Sequence, residues 1–220
     1  MTSAIRLYQY LAPALLAPLS LYLWWNEYRN WPQSLVAWLI PILWAYIVPA
    51  VGTNLCKVWE FSVRWRLGRF RPHHGFVFGS ATATIVWLIH GQQAKSIIDI
   101  LRFAVILCSV LGFWNLIYEI LALRAGVLRV YNQPWADGCG EEAIAFDYAP
   151  WFFGGFGAAY GLAIGILEYL VKQRGLPNAL ESWGYILSGL ILSIVIPVLG
   201  FVLYSLRTHG HSGTRPVNKG

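Results

Sequence analysis

Charge is scarce in this chain. Asp, Glu, Lys and Arg make up 12% of its 220 residues, and only 10 residues are acidic. A typical soluble domain carries about twice that charged share, so an ordinary water-exposed globule is excluded. Cysteine is scarce too. Cys56 and Cys108 fall in apolar runs and Cys139 in a polar loop, with no paired spacing, which excludes a disulfide framework or a zinc knuckle. Of five histidines, His90 lies near the end of a run, His73 and His74 at an interface, and His209 and His211 in the C-terminal segment. A bis-His haem needs two imidazoles inside the bilayer, so no haem is expected, nor any other cofactor. No polar stretch is long enough for a separate soluble domain.

What is present is apolar surface: 57% hydrophobic residues and 12 Trp. A membrane span needs about 20 apolar residues. Six stretches qualify, 5–25, 34–56, 75–93, 98–123, 148–171 and 183–206. The expected fold is an all-α, polytopic membrane helical bundle of six transmembrane helices. Residues 1–206 form one integral-membrane domain and 207–220 a disordered cytoplasmic tail. The first run leads directly into Trp24 and Trp25 and lacks a small-residue cleavage site, so it reads as a retained helix rather than a signal peptide. Six spans put Arg6, Lys57, Arg64, Arg66, Arg69, Arg71, Arg124, Arg129, Arg207, Arg215 and Lys219 on one side, eleven of the 16 basic residues. The positive-inside rule then places both termini in the cytoplasm. The net charge of +6 is accounted for by topology and anionic lipid, not by nucleic acid. An oligomer is compatible with the sequence.

Inside the apolar run FAVILCSVLGFWNLIYEILAL (103–123) stands one carboxylate, Glu119. A charge at such a depth costs at least about 2.5 kcal/mol, so intramembrane acids commonly serve relays, binding sites or catalysis. The stretches VPAVGTNLCKVWEF and CSVLGFWNLIYEI share Gly, Asn-Leu and an aromatic-Glu pair, followed in each by Arg and then by Pro before a Phe- and Gly-rich helix. Asn54 precedes Glu60 by six residues and Asn115 precedes Glu119 by four. This internal repeat would relate helix pairs 2–3 and 4–5, placing Glu60 and Glu119 at matching depths near the cytoplasmic ends of helices 2 and 4. A carboxyl against an aromatic ring in a low dielectric can keep its proton, which suits a general acid acting on an apolar substrate. Structural readings stand beside these. Asn115 and Glu119, at i and i+4, could hydrogen-bond across to a neighbouring helix. Glu60, with Arg64 at i+4, could be a simple ion pair.

Gly157, Gly161 and Gly165, spaced by four, form a small face that permits close helix approach, or else a smooth wall for a flat hydrocarbon. The polar stretch 124–150 holds Asp137, Glu141, Glu142 and Asp147 and reads as a solvated loop, or as a lid, a metal site or a second acid supply. His73-His74 with a carboxylate could bind a metal, though neighbouring loop histidines are more often only polar. Pro41, Pro49 and Pro197 fall within runs, and kinks at the first two would free carbonyls upstream of Glu60.

Trp59-Glu60-Phe61, following a Pro-containing second helix, resembles the Asn-x-x-Trp-Glu-Phe segment of fungal integral-membrane terpene cyclases, and Asn115-Leu116-Ile117-Tyr118-Glu119 has that motif's Asn-to-Glu spacing. The membrane lycopene cyclases are similar in size and in their helical carboxylate pairs. The resemblance covers two short segments. It implies a small all-helical membrane enzyme in which a carboxylic acid protonates an isoprenoid epoxide or alkene and ring closure proceeds through carbocations. The chain departs from the pattern in having extra residues between Asn54 and Trp59 in its first copy, six apolar runs where the fungal family has seven spans, and no acidic residue in its last run, 183–206.

The reading that joins these signals is a membrane enzyme acting on an isoprenoid or other lipid by acid-initiated cyclisation or isomerisation. Glu119 is the principal acid, Glu60 its partner or counter-charge, and Asn115 orients Glu119. Trp59, Trp114, Tyr118, Trp151, Phe152 and Phe153 line the substrate pocket, and no metal is required. The alternative is a non-catalytic membrane protein, a small transporter or an accessory subunit of a membrane complex. A third reading is a metal-assisted lipid enzyme using His73, His74 and the acidic loop.

Overall fold

The computed structural model describes residues 2–218, with the side chains of 2–6 left out. The side chain of Arg6 and all of Lys219, both counted above for orientation, lie outside the described residues. The architecture is all-helical apart from one pair of three-residue strands. In chain order the helices are α1 (Thr2–Leu11), α2 (Ala17–Tyr28), α3 (Trp31–Ala50), α4 (His74–His90), α5 (Ile97–Arg124), α6 (Gln133–Ala136), α7 (Glu141–Ala149), α8 (Gly155–Arg174) and α9 (Ala179–His209). Strand β1 (Trp59–Phe61) follows α3 and β2 (Leu128–Val130) follows α5.

Helix starts follow from local chemistry. Asn30 accepts from the Gln33 N–H, Ser96 from Asp99 and Asn132 from Trp135, and Asn178 forms a reciprocal capping box with Glu181. Three five-residue π-turns interrupt the rods, at Ala12–Leu16, Val51–Leu55 and Pro150–Gly154. Each contains a proline or closely follows one, Pro13, Pro49 and Pro150. Proline supplies no N–H to the helical ladder, and a one-residue widening is a standard accommodation. The π-turns join α1 to α2 and α7 to α8, so the chain forms six continuous rods, 2–28, 31–55, 74–90, 97–124, 141–174 and 179–209, close to the six hydropathy runs.

Four of these are long and apolar enough to cross a membrane: Trp31–Leu55, Ile97–Arg124, Glu141–Arg174 and Ala179–His209. Rod 74–90 has 17 residues, or about 26 Å, against about 30 Å of bilayer hydrocarbon. Along α9, Leu187, Ile191, Val195, Leu199 and Leu203 recur at i+4 and stay exposed, an apolar stripe suited to hydrocarbon rather than water.

The rods pack chiefly as α3 with α4 and α5 with α8, while α9 lies against both α8 and α3, and α2 lies against α3 and α4. The small face of α8 is a packing face. A Cβ at Gly157 would stand 2.3 Å from the Leu107 carbonyl oxygen, and one at Gly161 2.7 Å from Ala104 Cα. Close helix approach is the reading that holds, and the alternative of a hydrocarbon wall is not met, because backbone fills the space.

β1 and β2 pair antiparallel with Trp59 opposite Val130, Glu60 opposite Arg129 and Phe61 opposite Leu128. Strand alternation sends Trp59, Phe61, Leu128 and Val130 inward and Glu60 and Arg129 outward. This overturns the expected equivalence of the two aromatic-Glu pairs, because Glu60 lies on a strand whereas Glu119 lies on α5. In the stretch 207–220, expected as a disordered tail, the described residues complete α9 as far as His209 and then run back over the strands. Val217 N–H donates to Tyr131 O at 3.0 Å, His209 Nε2 meets Asp147 Oδ1 at 2.7 Å, and Gly213 rests against the Phe201 ring.

Candidate functional site

Glu119 faces inward from α5 and is 8% exposed. Among the described residues its hydrogen-bond partner is the Tyr148 hydroxyl, which donates to Oε2. Tyr148 comes from α7, which packs on α5 and continues through the Pro150–Gly154 turn into α8. Asn115 shares the inner face, but its Nδ2 donates to its own helix at Leu111 O, 2.8 Å away. The hydrogen bond to Glu119 comes from Tyr148, while Asn115, expected to orient Glu119, closes a local bond instead.

Glu119 and Tyr148 border a narrow cavity of about 30 Å³, walled by Trp44, Pro49, Trp59, Phe61, His74, Phe78, Leu128, Phe152 and Phe153. The rings meet edge to face or tilted, Trp59 on Phe152 at 5.2 Å and Phe78 on Phe153 at 5.4 Å between centroids. Gly52, in the Val51–Leu55 turn, makes room for the Trp59 indole, since a Cβ there would come within 2.2 Å of the ring. Trp59, Tyr148 and Phe152 also border a second, larger cavity of about 140 Å³. Its other walls are mainly aliphatic, from Ile47, Val48, Val51, Val58, Val130, Ile194, Val198 and Val202, with Gly213 and Thr214 of the C-terminal segment on one side. An apolar chamber thus adjoins a pocket of aromatic faces holding one carboxyl.

Of the residues expected to line a pocket, Trp59, Phe152 and Phe153 do so beside Glu119. Tyr118 lines a neighbouring small cavity with Tyr8, Arg71 and His74. Trp114 also borders that cavity but is 57% exposed. Trp151 stacks on Tyr204 at 5.2 Å on the outer side of the π-turn and lines neither aromatic nor aliphatic chamber. Glu60 is likewise displaced from the expected pair of acids. Oε2 accepts from Tyr131 at 2.7 Å and Oε1 from Arg66 at 3.1 Å. The Tyr131 hydrogen bond foremost holds its carboxyl below the usual carboxylate range; burial, the next influence, opposes it, and the Arg69 charge and the Arg66 bond add to the lowering. It is an anion at the rim, not a second acid in the pocket.

Two features carry no motif in the sequence. Arg71, 1% exposed, is among the most buried side chains; as one of five basic residues in a polar loop it reads as topology. At the far end of α4, the Glu168 carboxylate accepts from Tyr28, from His90 Nε2 at 2.5 Å and from the Ala94 N–H at 2.7 Å. Glu168 gave the same signal as Glu119, a lone acid in an apolar run. Both its oxygens accept from these donors, so it ties α2, α4 and α8 together. Among the described residues no group of three or more His, Cys, Asp or Glu side chains could hold a metal ion. His73 stacks on Tyr10, His74 Nδ1 accepts from a guanidinium, and Glu142 pairs with Arg124, so the residues of the metal-assisted reading are dispersed. No protein-family model, curated protein or solved structure matches this chain.

Proposed function

We propose that this protein is a multi-pass membrane enzyme that initiates cyclisation or isomerisation of an isoprenoid or related lipid by proton donation from Glu119. The observation that carries the reading is the isolated carboxyl at the junction of an aromatic pocket and an aliphatic chamber. The chamber holds the extended hydrocarbon. Glu119 delivers a proton to an alkene carbon or epoxide oxygen, and the π electrons of a neighbouring double bond form the new carbon–carbon bond. The final cation loses a proton, which restores the acid, so the product is an isomer of the substrate and no cofactor is consumed. Trp59, Phe152, Phe153 and Trp44 offer ring faces to the cation, each worth about 0.5–2 kcal/mol. Tyr148 holds the carboxyl in register with the chamber. The resemblance of the two short segments to terpene cyclases agrees with this chemistry, with Glu119 the carrier of the acid and Glu60 a structural anion. In this reading all six rods cross the membrane with both termini cytoplasmic. The repeat is then one of helix–strand–helix units, 31–90 and 97–174, that meet along the paired strands.

The test compares lipids from cells making the wild type and Glu119→Gln at matched levels, by chromatography and mass spectrometry. The expected result is a species at a new retention time and unchanged mass in wild-type cells alone, with the variant down by at least about 100-fold. Identical profiles in a host supplied with isoprenoid precursors would overturn the reading and leave the transporter or accessory-subunit alternative.

A further inference from the structure

Arg71 is a buried cation that, among the described residues, forms no ion pair with a carboxylate. Its Nη1 donates to Gln9 Oε1 at 3.1 Å and its Nη2 to His74 Nδ1 at 2.6 Å, and it lies beside the Tyr118 hydroxyl. Its carbon centre sits 5.0 Å over the Phe61 ring. Nε has no partner, and among the described residues no carboxylate forms an ion pair with it. Neutral groups do not cancel its charge, and an uncompensated buried charge costs several kcal/mol, so such groups are normally found paired. The neighbouring histidine narrows what the pair can take. Guanidinium only donates, so His74 Nδ1 accepts and the ring proton resides on Nε2, a second donor. Arg71, His74 and Tyr118 border a cavity of about 40 Å³. His74 and Phe78 border both that cavity and the one holding Glu119.

We propose that Arg71 and His74 receive an oxyanion, the head of the lipid whose hydrocarbon occupies the adjoining chambers. This inference takes its lipid substrate from the function proposed above, and the receptor supplies the polar end that an aliphatic chamber cannot. The ligand class is an amphipathic lipid with a phosphate, carboxylate or phenolate head. Bound head-first against Arg71, its chain passes Glu119 before entering the aliphatic chamber, so the head would set which double bond meets the acid. Glu119 lies within electrostatic reach of Arg71 but makes no ion pair with it, and its removal leaves the Arg71 and His74 donors in place.

The experiment measures stabilisation of the purified protein in maltoside micelles by farnesyl phosphate, farnesol and inorganic phosphate, titrated by thermal unfolding. Farnesyl phosphate is expected to bind at least about tenfold more tightly than farnesol, the ratio that a hydrogen bond to a charged group contributes. Inorganic phosphate at equal concentration is expected to give less than either. Glu119→Gln keeps the preference for the phosphate head although it has lost turnover, which separates this inference from the catalytic one. Arg71→Gln keeps farnesol binding and loses the preference. If that variant does not fold, the wild-type comparison of the two farnesyl compounds decides alone. Equal binding of farnesyl phosphate and farnesol by the wild type would overturn the proposal. So would a preference that appears only in Glu119→Gln, because Glu119 would then be the counter-ion. Stabilisation by inorganic phosphate equal to that by farnesyl phosphate would overturn the lipid assignment.

Discussion

A single step of strand alternation separates the two glutamates that look alike in sequence. Trp59 turns into the aromatic pocket, so its neighbour Glu60 must turn out, where Tyr131 and Arg66 take its oxygens. The environment of Glu60 favours its ionised form, so the interaction is fully present above the carboxylate's unfolded pKa, about 4.3, and is lost as pH falls through the lower folded value. Glu60→Gln should therefore lower stability by about 1 kcal/mol at neutral pH, with the gap to wild type closing below about pH 4. Thermal unfolding of both proteins over that range in micelles checks it, and a gap that persists in acid would place the contribution elsewhere. Sequence could identify Glu119 because a lone acid in a long apolar run is a local signal. It could not identify Tyr148 or Arg71. One lies 29 positions from its carboxyl partner and the other 62 positions from Gln9, and neither proximity leaves a periodicity to read.

At the scale of elements, helix contact is set by where backbone can approach backbone. Gly157 admits the Leu107 carbonyl, which cannot rotate away as a side chain could. Gly157→Ala should destabilise by about 1–3 kcal/mol, the range for overpacking. Gly184, whose Cβ would meet open space, is the matched control, and Gly184→Ala should leave stability unchanged or raise it by up to about 1 kcal/mol. Thermal unfolding in the same micelles separates the two. The glycine spacing was readable in the sequence and its partner was not, because spacing by four states that something comes close without stating what. The strands illustrate the converse. Three residues are too few for an alternation to stand out, and their pairing depends on Lys57 adopting a left-handed φ of 63° that turns the chain out of the preceding helix.

Across the whole molecule, hydropathy made the six rods legible because apolar length is a property of the chain alone. The course of the C-terminal segment was not, since its composition is polar and its contacts are with residues far back in sequence. Gly213 and Thr214 form part of the wall of the aliphatic chamber, and Cys56 stands on the same lining. Deleting residues 210–220 in a Cys108→Ser, Cys139→Ser background should make Cys56 react severalfold faster with a maleimide, as followed by mass spectrometry. An unchanged rate would show that the chamber is closed by other walls. The π-turns bear on a different property of this architecture, its tolerance of insertions and deletions. The turn at Pro150–Gly154 holds Tyr148 on one side and the close-packed glycine face of α8 on the other. Five residues in this wide turn sweep about the angle that four sweep in an ordinary helix, so the turn takes up one extra residue while both flanks keep their facing. A one-residue deletion within 150–154 can therefore be absorbed by reversion to an ordinary helix, whereas one within 157–165, where no wide turn is present, would rotate part of the glycine face about 100° away from α5. Descendants of this chain can thus vary in length at the wide turn, yet along the glycine face of α8 they must conserve the count of residues itself.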